Sequence, residues 1–238
     1  VNYWPAENLP ACPGRDRKEI HLKSFNSILE AIYTKNPLQK KRLEKYLWRM
    51  DPEFFREADK FALDYLGYLE KQNLPLEYAI DAYLKMCRDM MVSQKGFVET
   101  GKYPVDLSQE AFEKVYNDEV EMKYYMVGLA ISQFLWETHY HMFHFFSDYV
   151  AQNFSRVNNY LEVGPGHGLY LKRAMDNLDD DAKIAIVDIS STSLNLTESI
   201  IQFFIPEKSS NISSYLSDIL VLDLDEKYDF ITMGEVLE

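Results

Sequence analysis

Hydrophobic positions change their spacing once along this chain. Up to about residue 154 they recur every three or four residues, as in Phe25, Ile28, Leu29 and Ile32 and again in Leu43, Tyr46, Leu47 and Met50. That spacing collects them on one face of a helix, so the stretch from Asp16 onward reads as a series of amphipathic helices. Asp51-Pro52 opens one of them, the aspartate as N-cap and the proline at the first helical position, where a missing amide leaves nothing unpaired. Its buried stripe is predicted as Phe54, Phe55, Ala58, Phe61, Ala62, Tyr65, Leu66 and Leu69. Leu74-Pro75 opens another helix that should end near Gly96 or Gly101, and Ser108 reads as a further N-cap. The aromatic stretch from about Asp118 to Asn153 is too long for a single uncapped helix, so a break is expected near Gly128 or around 138–142.

After Arg156 short apolar runs, Tyr160-Leu161-Glu162-Val163 and Ile184-Ala185-Ile186-Val187, alternate with the amphipathic segments Tyr170 to Asn177 and Ser193 to Phe204. Strand, helix, strand, helix in that order predicts an α/β fold with a parallel sheet. Tyr215-Leu216 and Tyr228 to Met233 supply strands three and four. Two domains are therefore expected: 1–155, helical, and 156–238, built on the sheet. The chain begins at Val1 rather than Met and stops at Glu238 just after the fourth strand, as expected of a fragment whose C-terminal strands are missing. Four strands with an exposed central edge would leave unpaired backbone and apolar surface, so poor stability or pairing with another chain is expected.

Composition narrows the partners. The formal charge is −13, and the acidic excess is concentrated after residue 156. A polyanion would be repelled over most of such a surface, so nucleic acid is not expected as a substrate. Cys12 and Cys87 are far apart, without the spacing of a metal site or disulfide framework, which fits a reducing cytoplasm. No secretory signal precedes Pro13, and the longest apolar stretch, Met126 to Ile131, is far below the roughly 20 residues that span a bilayer. No membrane association is expected.

The chemistry centres on Glu162-Val163-Gly164-Pro165-Gly166-His167-Gly168, a glycine-rich turn leaving the first strand at the edge where open parallel sheets bind ligands. Glycines let the backbone turn sharply and approach a ligand closely. A dinucleotide fingerprint requires a third glycine at position 169, where this chain has Leu169. With that option removed, the E-x-G-x-G-x-G pattern and the acidic and apolar landmarks at the later strand ends resemble the class I S-adenosylmethionine-dependent methyltransferases over residues 156–238. The resemblance implies a Rossmann-like sheet and a site for S-adenosylmethionine, with S-adenosylhomocysteine as product. Glu162, Gly164, Pro165, Gly166 and Gly168 correspond to the loop lying against the methionine and ribose portions. Asp188, with Ile189 next to it, resembles the carboxylate that accepts from both ribose hydroxyls. Ser217, Asp218 and Ile219 resemble the group that meets adenine, and Met233, Gly234 and Glu235 the turn beside the transferred methyl group. Singly, Asp188 and Asp218 read equally well as helix caps or loop residues, and Glu235 as the start of the next helix.

The acceptor implied is a small-molecule oxygen, nitrogen or carbon nucleophile, with a protein or carrier-bound substrate and a non-catalytic interaction module as alternatives. The helix before strand one offers Tyr140, His141 and His144, beside Glu137 and His139, as candidate substrate contacts or bases. No metal is expected there, because H-x-H-x-x-H does not set all three histidines on one helical face. The helical domain is expected to act as a lid, a substrate surface or a homodimer interface.

Overall fold

In the computed structural model, which describes residues 23–102, 118–224 and 226–234, the three-to-four spacing forms helices and the short apolar runs form strands. The helix start at Asp16, the cap at Ser108 and the turn residue Glu235 lie outside the described residues.

Two compact units divide after Leu84. In the first, α1 (Lys23–Lys35) packs against α2 (Pro37–Leu47) and α3 (Pro52–Lys71). Phe54 of α3 is its aromatic centre, with Phe25 and Tyr46 approaching edge-on at 6.2 and 5.8 Å. Asp51 caps α3 by accepting from the Phe54 N–H, as its sequence signature predicts. Asp59, on α3, accepts from the N–H groups of Ser24 and Phe25 and so caps α1 from a neighbouring helix. The helix opened by Pro75 is α4 (Leu76–Thr100), which begins in this unit and ends against the left-handed Gly101, φ 70°.

The second unit holds α5 (Glu119–Ser132), α6 (Glu137–Asn153) and a four-stranded sheet with its crossover helices. The long aromatic stretch breaks at 133–136, between the two places expected for it. Trp136 is extended there, at φ −119° and ψ 124°, while the Ser132 carbonyl accepts from the Leu135 and Trp136 N–H groups. Gly128 stays inside α5, buried. No helix among the described residues is long and apolar enough to cross a membrane.

The sheet comprises β1 (Asn159–Val163), β2 (Lys183–Asp188), β3 (Ile212–Leu216) and β4 (Phe230–Met233), all parallel, in the order β3-β2-β1-β4. Helix α7 (Leu169–Met175) joins β1 to β2, and α8 (Ser191–Phe204) joins β2 to β3. Both crossovers step the same way, whereas the link from β3 to β4 returns past β1. The topology therefore switches between β1 and β4. On one face Leu161, Val163, Ala185 and Val187, with Tyr215 of β3 beside them, pack under Ile219, Leu222, Leu224 and Tyr228, so the β3–β4 link supplies that cover. On the other face α8 packs on β2, α7 and α5, while α6 packs on α7. Being covered on both sides explains why β1 and β2 are continuous apolar runs rather than alternating ones.

Lys208 locks this helical layer. Its Nζ donates to the Met175 and Leu178 carbonyls at the end of α7, 3.1 and 2.7 Å away, and meets Asp180 at 3.1 Å. Its side chain is 13% exposed. Replacing Lys208 by Met leaves those carbonyls without their donor, and urea unfolding of Lys208→Met should show a loss of about 1–2 kcal/mol.

Candidate functional site

Parallel register brings four strand ends to a single edge. Val163 lies opposite Val187 and Met233, and Asp188 opposite Leu216. The Gly164 N–H donates to the Val187 carbonyl at 2.8 Å, and the Ser217 N–H to the Asp188 carbonyl at 3.0 Å. The glycine loop, Asp188-Ile189, Ser217-Asp218-Ile219 and Met233-Gly234 thus all leave the carboxyl edge side by side, next to the switch between β1 and β4. In open α/β sheets this is where ligands bind. A separate open cleft, lined by Asp181, Lys183, Asn211, Ser213 and Tyr228, lies toward the amino ends of β2 and β3, away from these groups.

All three loop glycines are left-handed, with φ of 65°, 55° and 72° at Gly164, Gly166 and Gly168. A Cβ at Gly168 would lie 3.0 Å from the Thr197 Cα on α8, and one at Gly166 would lie 3.3 Å from the Met126 Sδ on α5. The close approaches permitted by Gly166 and Gly168 are therefore made within the protein itself. Loop amides are also engaged internally. Gly164 donates to Val187, Gly168 to the Pro165 carbonyl, Leu169 to His167 Nδ1 and Gly166 to the Asp188 carboxylate. A phosphate-cradling loop presents such amides to its ligand, and this one has directed them inward.

Asp188 is half-buried and well held. It accepts from the Ser190 N–H at 2.8 Å and from Ser193 Oγ at 2.5 Å. Burial pushes its carboxyl up, opposed by the Ser193 bond and by the amides of Ser190, Ile189 and Gly166. A carboxylate offers about four lone-pair positions, and the Ser193 hydroxyl with the Ser190, Ile189 and Gly166 amides occupies that number, so a ligand hydroxyl here would replace one of these donors. Glu162 points instead into the helical layer. It is 3% exposed, accepts from the Tyr160 hydroxyl at 2.7 Å and from the Leu171 N–H, and burial pushes its carboxyl up to about 8. Tyr160 reaches the half-buried Thr232 of β4 at 2.9 Å, so this trio spans the switch point. His167, also buried, is pushed down to about 3, first by burial and then by His139 nearby.

Comparison with known proteins adds no relatives. Family models, curated proteins and solved structures each return no match.

The remaining sequence candidates separate. Asp218 is exposed and closes its own turn onto the Leu220 N–H, while Ile219 is folded under the sheet against its core. The apolar side chains exposed at this edge are Ile189, Leu216, Leu220 and Met233. On α6, Tyr140 packs on Phe134 and near His141 and His144, and His144 Nδ1 lies 3.3 Å from Asp148. Helical spacing sets Tyr140 and His144 nearly opposite Tyr149, which touches Phe230 of β4. His139 is buried, with Nδ1 2.7 Å from Ser132 Oγ, and Glu137 is exposed.

Four site residues escaped sequence reasoning. Ser193 and Thr197 both approach the Gly166 carbonyl, at 3.5 and 3.2 Å. Their four-residue spacing on α8 was the available sign. Met126 and Gln133 reach the loop from α5 through tertiary packing that no local pattern encodes.

Two outcomes test this geometry. Gly168→Ala combines a left-handed φ with backbone contact and should lose about 2 kcal/mol or more in urea unfolding, whereas Gly166→Ala meets a flexible thioether and should lose about half as much. Equal losses would refute the Thr197 contact. For Glu162, a proton held more tightly in the folded chain means that stability is fully present below its ordinary value of 4.5 and is lost as pH rises through about 8. Glu162→Gln should flatten the fall of melting temperature between pH 5 and pH 8.

Proposed function

We propose that this chain binds S-adenosylmethionine at the carboxyl edge of a Rossmann-like sheet and belongs to a methyltransferase of class I type acting on a small molecule. The observation that carries the proposal is the convergence of the left-handed glycine loop, Asp188, Ser217-Asp218 and Met233-Gly234 on one edge beside a switch in strand order. Further support comes from the loop amides, which are engaged within the fold and so favour a ligand without phosphates there. Carboxylate rather than amide is what the edge offers, which suits ribose hydroxyls and a cationic ligand.

When bound, S-adenosylmethionine supplies an electrophilic methyl carbon on a sulfonium, open to in-line displacement by an oxygen, nitrogen or carbon nucleophile. The chain's own residues then have positional tasks. Asp188, held by Ser190, Ser193 and the Ile189 and Gly166 amides, accepts from the ribose hydroxyls through charge-assisted bonds that replace some of these internal ones. Asp218 is exposed for the adenine amine, and Ile189 and Leu216 offer apolar surface next to it. Ile219 departs from the family's adenine contact, because it packs under the sheet. Met233 and Gly234 end β4 directly beside Gly164 and border the position of the methyl group.

Isothermal titration of the full chain with S-adenosylmethionine and S-adenosylhomocysteine tests the proposal. Binding of both is expected, with at least about a tenfold loss in Asp188→Ala, the scale of one charge-assisted hydrogen bond. No binding by the unmodified chain, or unchanged affinity in Asp188→Ala, would remove the assignment.

A further inference from the structure

A buried polar seam joins the α5–α6 corner to the glycine loop. Gln133 and His167 meet across it, with their Nε2 atoms 3.3 Å apart. Both are buried, at 4% and 6% exposure. His167 Nδ1 accepts from the Leu169 N–H at 3.2 Å, so that nitrogen carries no proton, and the neutral ring has its proton on Nε2. A ring N–H cannot be satisfied by a carboxamide NH2. A half-turn of the Gln133 carboxamide resolves the conflict: it exchanges the long 3.5 Å contact from its Nε2 to the Leu129 carbonyl for a bond from the ring N–H to Oε1, a buried atom otherwise without a hydrogen-bond partner. The neighbouring pair is ordered by the same logic. Ser132 Oγ donates to the Leu129 carbonyl at 2.6 Å, which leaves it to accept from His139 Nδ1–H at 2.7 Å.

Met126 stands two helical turns before Gln133 on the same face of α5, and its Sδ abuts Gly166. One helix face therefore presses on the loop at two successive residues, Gly166 and His167. His139 from α6 and Tyr170 from α7 also face the ring, Tyr170 stacked at 6.0 Å with an interplanar angle of 26°. Stacking fixes the ring plane, and Gln133 meets the ring at its Nε2 edge.

We propose that Gln133 is a positioning residue for the glycine loop: its carboxamide holds His167 in the Nε2-protonated tautomer and so keeps the backbone from Gly166 to Leu169 in the shape that receives ligand. The identity of that ligand rests on the methyl-donor assignment above.

The test uses the full chain, with S-adenosylmethionine titrations and with two-bond proton–nitrogen correlations of the histidine rings recorded without ligand. Gln133→Met should bind S-adenosylmethionine about tenfold more weakly, as expected for one lost hydrogen bond, and shift the His167 ring signals toward mixed tautomers. Gln133→Glu restores an acceptor and should recover the tautomer signature. His167→Phe keeps the stacking surface and should lose a similar factor, and in the double variant the two losses should not add, because they remove the same contact. Wild-type affinity with unchanged ring signals in Gln133→Met, or additive losses in the double variant, would overturn the proposal. If the unmodified chain binds no S-adenosylmethionine, the methyl-donor assignment fails, while the ring signals of the unliganded variants still decide the role of Gln133.

Discussion

The hydrogen bond from the Gly164 N–H to the Val187 carbonyl carries the parallel ladder one residue past the end of β1, and the rest of the site depends on it. Gly164 can make this bond and then turn away because it takes a left-handed φ of 65°. Ending β1 at this residue sets its register, and register sets the faces. Tyr160 and Glu162 go to the helical layer, and Leu161 and Val163 go to the cover supplied by the β3–β4 link. A slip of one residue would exchange the two sets and place a carboxyl under Ile219 and Leu222. The same bond sets Asp188 beside the loop, where the Gly166 amide can reach it.

Burying ionisable groups under this edge gives the fold opposing responses to pH. Glu162, pushed up to about 8, weakens the folded state as pH rises above its ordinary value, whereas His167, pushed down to about 3, weakens it as pH falls below 6.5. Both groups are predominantly neutral between these limits. The loop therefore rests on a floor of uncharged side chains, and Asp188 meets it through the Gly166 amide. Desolvation is the largest cause in both cases, and neither shift requires an ion partner.

Strand positions and the glycine loop were legible because each follows from local physics. Short apolar runs buried on both faces identify β1 and β2, and three glycines in five residues identify a backbone that needs positive φ. The helix cap at Asp51 was legible for the same reason, since its side chain bonds an amide three residues away, whereas the cap at Asp118 went unread. The break between α5 and α6 was not legible either. Glycine costs a helix interior only about 1 kcal/mol relative to alanine, so Gly128 is tolerated, and the chain bends where Gln133, Phe134 and Leu135 are drawn into the interior. That pull comes from residues distant in sequence, among them His167. The turn of Ile219 under the sheet has a similar origin. Its apolar character suited adenine and core equally, and the uncovered face of Leu161 and Val163 decided between them.

The glycine pattern alone does not require a ligand, since each residue has a duty within the protein. Gly164 turns the chain out of the sheet, Gly166 admits Met126 and Gly168 admits the backbone of α8. A purely structural account would therefore preserve all three. What it leaves unexplained is the edge above them, where Leu216, Ile189 and Met233 stand exposed around a carboxylate that the fold has positioned with a serine, an amide of the loop and amides of its own helix start. The bonds to that carboxylate serve the fold, but apolar surface left open to solvent beside it does not. The proposed binding of S-adenosylmethionine rests on this pairing more than on the glycines, because a ligand with hydroxyls at one end and an apolar ring at the other would use both parts of it.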